Sequence, residues 1–117
     1  MKAFDLTTRQ VAPHHPEILQ SDEGEGRAIL LHLPAGERLQ QHRVQERAYL
    51  QVVHGSVEIV AGDVTRATAG TLAIFEPAED HEIRALEDAR LLLVLAPWPA
   101  PTHRGETREA RGAPITE

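Results

Sequence analysis

Between Pro34 and Ala96 the chain is interrupted too often for a helix to take hold. Pro34-Ala35-Gly36, His54-Gly55, Gly62-Asp63, Ala69-Gly70, Pro77–Asp80 and Leu86–Ala89 each carry turn chemistry. No apolar period of 3.6 residues is sustained between them. What lies between is strand-like. Residues 28–33 (AILLHL) form a compact apolar run, and 39–44 are a short alternating segment. Residues 49–53 (YLQVV) are rich in strand formers, and 57–60 and 64–67 face each other across Gly62-Asp63 as a hairpin. Residues 71–75 (TLAIF) and 81–85 (HEIRA) follow, the latter alternating as a half-buried strand does. Residues 90–96 (RLLLVLA) read as a buried strand. Many short strands with closely spaced turns predict an all-β sandwich or barrel.

The ends differ in character. Residues 1–27 are polar and broken by Pro13, Pro16, Gly24 and Gly26, with room for one or two short strands, one of them around 3–8. Residues 97–117 hold Pro97, Pro99, Pro101 and Pro114 and cannot be a central strand. That tail is read as an arm on a neighbour or as disordered. The organisation expected is an N-terminal segment (1–27), one core (28–96) and a Pro-rich tail (97–117).

A chain of 117 residues suits one domain. A net charge of −6 argues against a nucleic-acid surface, which needs a clustered positive face. The four aromatics, Phe4, Tyr49, Phe75 and Trp98, are too few for a base-stacking platform. There is no cysteine, which excludes disulfides and thiolate metal sites. No apolar stretch approaches the length of a membrane span or a signal peptide. A cytoplasmic location is the expectation. Phosphate-binding glycine loops, nucleophile elbows and zinc-protease pairs are absent from the sequence.

Chemistry therefore rests on the seven histidines. His14, His15 and His103 lie in polar, breaker-rich segments and read as exposed loop residues. His32 reads as a packed or edge-facing residue of its strand, and His54 as structural or exposed before its turn glycine. Glu23, Glu25, Glu79 and Asp80 read as solvated loop charges. His42 and His81 stand apart because of their framework.

Residues 36–55 (GERLQQHRVQERAYLQVVHG) resemble the first motif of the cupin superfamily. That motif is a glycine, five residues, His, one residue, His, three or four residues, Glu, six residues and Gly. Gly36, His42 and Gly55 match it. Residues 70–85 (GTLAIFEPAEDHEIRA) resemble the second motif, through Gly70 and His81, with Pro77 one place late. The resemblance runs from Pro34 to Ala96. It implies a cupin-type antiparallel β-barrel (a double-stranded β-helix, or jelly roll) with His42 and His81 delivered to one cavity. It also implies a homodimer, since small cupins commonly pair by exchanging edge strands or packing sheets. The N-terminal segment or the tail is the expected interface.

The departures bear on function. Metal-binding cupins take ligands from two histidines and a glutamate of the first motif and one histidine of the second. Here Val44 and Ala48 stand at two of those positions, Glu79 replaces the second-motif glycine and Ala85 the terminal Asn. Two readings follow. In one, Val44 and Ala48 widen and dry a pocket that also holds His42 and His81. Such a pocket suits a small organic molecule in a metal-poor or metal-free barrel. In the other, a third donor completes a site for Fe, Mn, Ni or Zn in a dioxygenase, isomerase or decarboxylase. Glu46, which shares parity with Ala48, is the carboxylate in reach for a 2-His-1-carboxylate set. Read otherwise, Glu46 belongs to a solvated Gln45-Glu46-Arg47 turn. The sequence leaves open whether any catalysis occurs.

Overall fold

The computed structural model describes residues 1–42 and 44–100, with 40–42 described by their backbone alone. Among them the chain forms nine strands and no helix: β1 (Glu17–Asp22), β2 (Gly26–Leu33), β3 (Arg38–His42), β4 (Arg47–His54), β5 (Ser56–Ala61), β6 (Asp63–Thr68), β7 (Leu72–Phe75), β8 (His81–Ala85) and β9 (Ala89–Ala96). Among the described residues no helix is therefore long and apolar enough to cross a membrane.

All strand pairs are antiparallel and fall into two sheets, ordered β1-β2-β9-β4-β7 and β3-β8-β5-β6. Only the β1–β2 and β5–β6 hairpins stay within a sheet; every other connection crosses between sheets. This is the jelly-roll path, and it corrects one expectation. The sheets do not close into a barrel: β1 and β7 remain the edges of one, β3 and β6 those of the other. The chain changes sheet at tight corners, where Gly36, Gly55 and Gly70 take positive φ. Isolated bonds replace the ladder there, such as Gly36 N–H to the Ala85 carbonyl (2.9 Å) and Gly70 N–H to that of Val52 (2.8 Å).

The period of two sorts each strand. Leu33, Ala48, Leu50, Val52, Phe75, Ala89, Leu91 and Leu95 point inward from the first sheet. Val57, Ile59, Ala67, Ile83 and Ala85 meet them from the second. In β9, flanked by β2 and β4, Leu91 is fully buried.

The N-terminal expectation needs correcting. Residues 3–8 form no strand, while β1 further along pairs with β2 and belongs to the first sheet. Residues 1–16 instead lie against their own chain: Arg90 of β9 donates to the Leu6 carbonyl (2.9 Å), and Val11 is buried. The tail begins the same way. Trp98 packs on the core and takes the Gly24 N–H on its carbonyl (2.6 Å). Its indole lies under the Arg27 guanidinium (4.2 Å), a cation–π contact. Residues 101–117, with His103, lie outside the described residues.

Candidate functional site

His81 opens β8 and points between the sheets, only 5% exposed. Two contacts fix its ring. It stacks on Phe75, with centroids 4.0 Å apart and planes at 11°. Its Nδ1–H donates to the Glu79 carbonyl at 3.2 Å; a carbonyl only accepts, so Nδ1 carries the proton. The preceding turn is built to present that carbonyl. Glu79 Oε1 accepts the Glu76 N–H (2.8 Å), and the Ala78 N–H reaches back to Val44 O (2.7 Å). The left-handed residue here is Ala78 (φ 66°), not Glu79, where the motif comparison expects a glycine. An alanine in that conformation costs about 1–2 kcal/mol, which the turn's bonds offset.

His42 closes β3, and the register sets it directly opposite His81, after a bulge that follows Leu39. Its side chain lies outside the described residues.

Beside His81 a half-open cavity of about 160 Å³ lies between the sheets. Its walls are Leu31, Leu39, Leu50, Phe75, Ile83 and Leu93, and among the described residues His81 is the polar one lining it. Val44 and Ala48, expected on these walls, lie elsewhere. Ala48 is buried in the core cluster between its cross-strand partners Phe75 and Leu95, and Val44 packs against that cluster. Trp98 packs on the same cluster.

Glu46 does not sit in a solvated turn. It is 1% exposed, and its Oε2 accepts the Ala100 N–H at 3.0 Å. Next to it Arg47 grips Glu76 with two bonds of 3.0 and 3.1 Å. That guanidinium holds the Glu76 carboxyl below the usual glutamate range, and Glu76 in turn raises Arg47.

The other histidines fall largely where the sequence placed them. His14, His15 and His54 are exposed, and His32 is bound to the Asp88 carboxylate (2.9 and 3.1 Å). No spacing signals that His14, His15 and His32 line one small surface cleft of about 70 Å³ with Glu37. Nor did it signal the cavity walls, which come from strands far apart in the chain.

A metal finds partial support here. A histidine whose second ring nitrogen is anchored on a carbonyl has the orientation of a metal ligand. Yet among the described residues no three His, Cys, Asp or Glu side chains gather as a ligand set, and Glu46 is engaged by the tail. The described donors do not assemble a metal centre.

Two facing antiparallel sheets with this crossing path also occur in solved structures. An RmlC-like cupin protein from Desulfovibrio desulfuricans superposes with a TM-score of 0.73, at 22% identity over 83% of this chain and 97% of that one. The chain has the cupin fold. A conserved protein with a double-stranded β-helix domain from Klebsiella pneumoniae gives the same TM-score of 0.73, at 20% identity over 86% and 93% of the two chains. KdgF from Halomonas sp. gives 0.66, at 20% identity over 76% and 85%. No family model matches the chain, and no curated relative does. Within this cupin fold, His81 and the apolar cavity beside it form the candidate site.

Proposed function

We propose that this protein is a binding module that holds a small organic molecule in the cavity between its sheets, without a resident metal. The cavity carries the reading: about 160 Å³, apolar walls and, among the described residues, one fixed imidazole. Concave, mostly apolar sites with few oriented polar groups are where small molecules bind. Val44 and Ala48 bring no donor atom, and the Glu46 carboxylate accepts from the Ala100 N–H and is not among the residues lining that cavity.

The test is direct. Tag-free protein is analysed for Fe, Mn, Ni and Zn before and after reconstitution, and titrated with small apolar compounds by calorimetry. The expected result is well under one equivalent of metal, with ligand binding that Leu93→Phe abolishes by filling the cavity. A second reading, a metal-dependent enzyme, is favoured by the register that sets His42 opposite His81. Stoichiometric metal that disappears in His81→Ala would install it in place of the first.

A further inference from the structure

We infer that a second copy of this chain docks on the outer face of the first sheet, on its β9-β4-β7 side, sheet against sheet about a two-fold axis.

The register assembles the patch. Leu50, Val52, Leu91 and Leu95 point into the core, so their neighbours along β4 and β9 point out. Leu92, Gln51 and Leu72 are cross-strand partners in one outward row, and Val94, Tyr49 and Ile74 in the next. None of these six is charged, and all but Gln51 are apolar or aromatic. Leu72 and Ile74 are 56% and 53% exposed, and Leu92, Val94 and Tyr49 are partly exposed. The same rows run on into β2 through Leu30 and Ala28. There Leu30 is fully buried, on the side where Arg90 holds the N-terminal segment against the sheet. The chain thus covers one half of this apolar face with its own N-terminus.

The second sheet shows how this chain builds a face for water. One outward row there runs Arg38, Arg84, Glu58, Arg66 across all four strands. Glu82 ties Arg38 and Arg84 to it at 3.1 and 3.0 Å. A contiguous apolar patch with charge confined to its rim marks an interaction site instead. On the first sheet that rim is the Arg47–Glu76 pair, one row beyond Tyr49.

Charge and area select a second copy as the occupant. A two-fold interface must complement itself. An uncharged patch meets its own image without like-charge contact, even on a chain of net charge −6. The rim pair holds both signs and is equally self-compatible. Strands about 4.8 Å apart, rising about 3.3 Å per residue, give β9, β4 and β7 roughly 300 Å² of flat face per copy. Side chains stand off that face and enlarge it, so two copies bury on the order of 1,000 Å², the least a specific interface needs. The dimer is therefore a modest one, of micromolar strength. Residues 101–117 match the patch less well, since Ile115 is their one large apolar residue among three arginines and three glutamates.

Sedimentation velocity of the full chain tests this, at up to about 100 μM, above the micromolar range of a modest interface. Wild type should approach twice 12.9 kDa. Leu72→Lys and Ile74→Lys each enter a two-fold interface twice, and each should raise the dissociation constant at least about 30-fold. Val64→Lys is the control, because Val64 is 59% exposed on the outward face of the second sheet, and its dimer should persist. Circular dichroism checks that the variants fold. A second measurement needs no variant: in a mixture of 13C-labelled and unlabelled wild type, isotope-filtered NOEs should join the Leu72 and Ile74 methyls to the other copy. A wild type that stays monomeric would overturn the inference. So would a dimer that both first-sheet variants leave intact, equal dissociation by Val64→Lys, or intermolecular NOEs confined to another face. NOEs from Leu72 and Ile74 to residues 101–117 within a monomer would overturn it too, and give the patch to the chain's own tail.

Discussion

Gly55 offers a sharp test of how the sheets are joined. It lies between β4 and β5, where the chain passes from one sheet to the other, at φ 85°. A Cβ placed on it would run into the carbonyl oxygen of Asp88 and stand 2.9 Å from the Ala89 Cα. Both obstacles are backbone, so no rotamer change relieves them. Ala89 is itself fully buried at the start of β9. Gly70 provides the control: its φ is 98°, and nothing lies within 4 Å of an added Cβ. Gly70→Ala therefore meets only the left-handed penalty, about 1–2 kcal/mol, part of which returns through the stiffer unfolded chain. Gly55→Ala meets that penalty and forces the β8–β9 turn to move, at a further 1–3 kcal/mol by the standard of overpacked cores. The turn carries Asp88, bonded to His32, and Glu87, bonded to Ser56, so its displacement loosens those bonds as well. At about 4–8 °C per kcal/mol for a domain of this size, Gly70→Ala should lower Tm by a few degrees. Gly55→Ala, at about 2–5 kcal/mol in all, should lower it by roughly 8–40 °C on the same scale. Differential scanning calorimetry of the two variants reads this directly. Equal losses would refute the claim that the close approach of residues 88–89 is what demands glycine at 55.

Two further outcomes follow from the packing and the charges. Ala48→Leu should overpack the cluster between Phe75 and Leu95 and cost about 1–3 kcal/mol, seen as a lower Tm, while toluene affinity stays as in the wild type; a large loss of affinity would mean that Ala48 faces the cavity after all. Glu76 is depressed by its bonds to Arg47, and Glu82 by its bond to Arg84 Nε and the charges of Arg84 and Arg38. Carboxylates with lowered folded pKa lend stability above their unfolded pKa and lose it as pH falls through the folded one. Tm should therefore fall as pH drops through and below the ordinary glutamate range, and less steeply in Arg47→Ala; identical acid profiles would show that the Arg47–Glu76 pair contributes nothing.

The strands were legible wherever local pattern and tertiary pairing agree. Residues 81–85 alternate as written, and β8 has those bounds because Ile83 and Ala85 face the core. The hairpin across Gly62 stands where turn chemistry put it. Phe4 and Leu6 share parity across Asp5 in the same way, yet no strand edge receives residues 3–8. β1 reads poorly in sequence, since EILQSD is half charged or amide. It is a strand because the edge of β2 accepts it, and an edge is a property of the assembled sheet.

The site was less legible for a related reason. Spacing located His81 and its turn, because both lie within one short segment. It could not locate Glu46 correctly, since that carboxylate is buried by Ala100, at the far end of the described chain. Small side chains at 44 and 48 promise empty space only if nothing else arrives, and Ala48 belongs to the packed core cluster against which Val44 and Trp98 both rest. The open volume lies instead among Leu31, Leu39, Leu50 and Leu93, which look in sequence like any core leucines. A cavity is a deficit of packing between large residues. It is set by how closely two sheets approach, and no single position announces it.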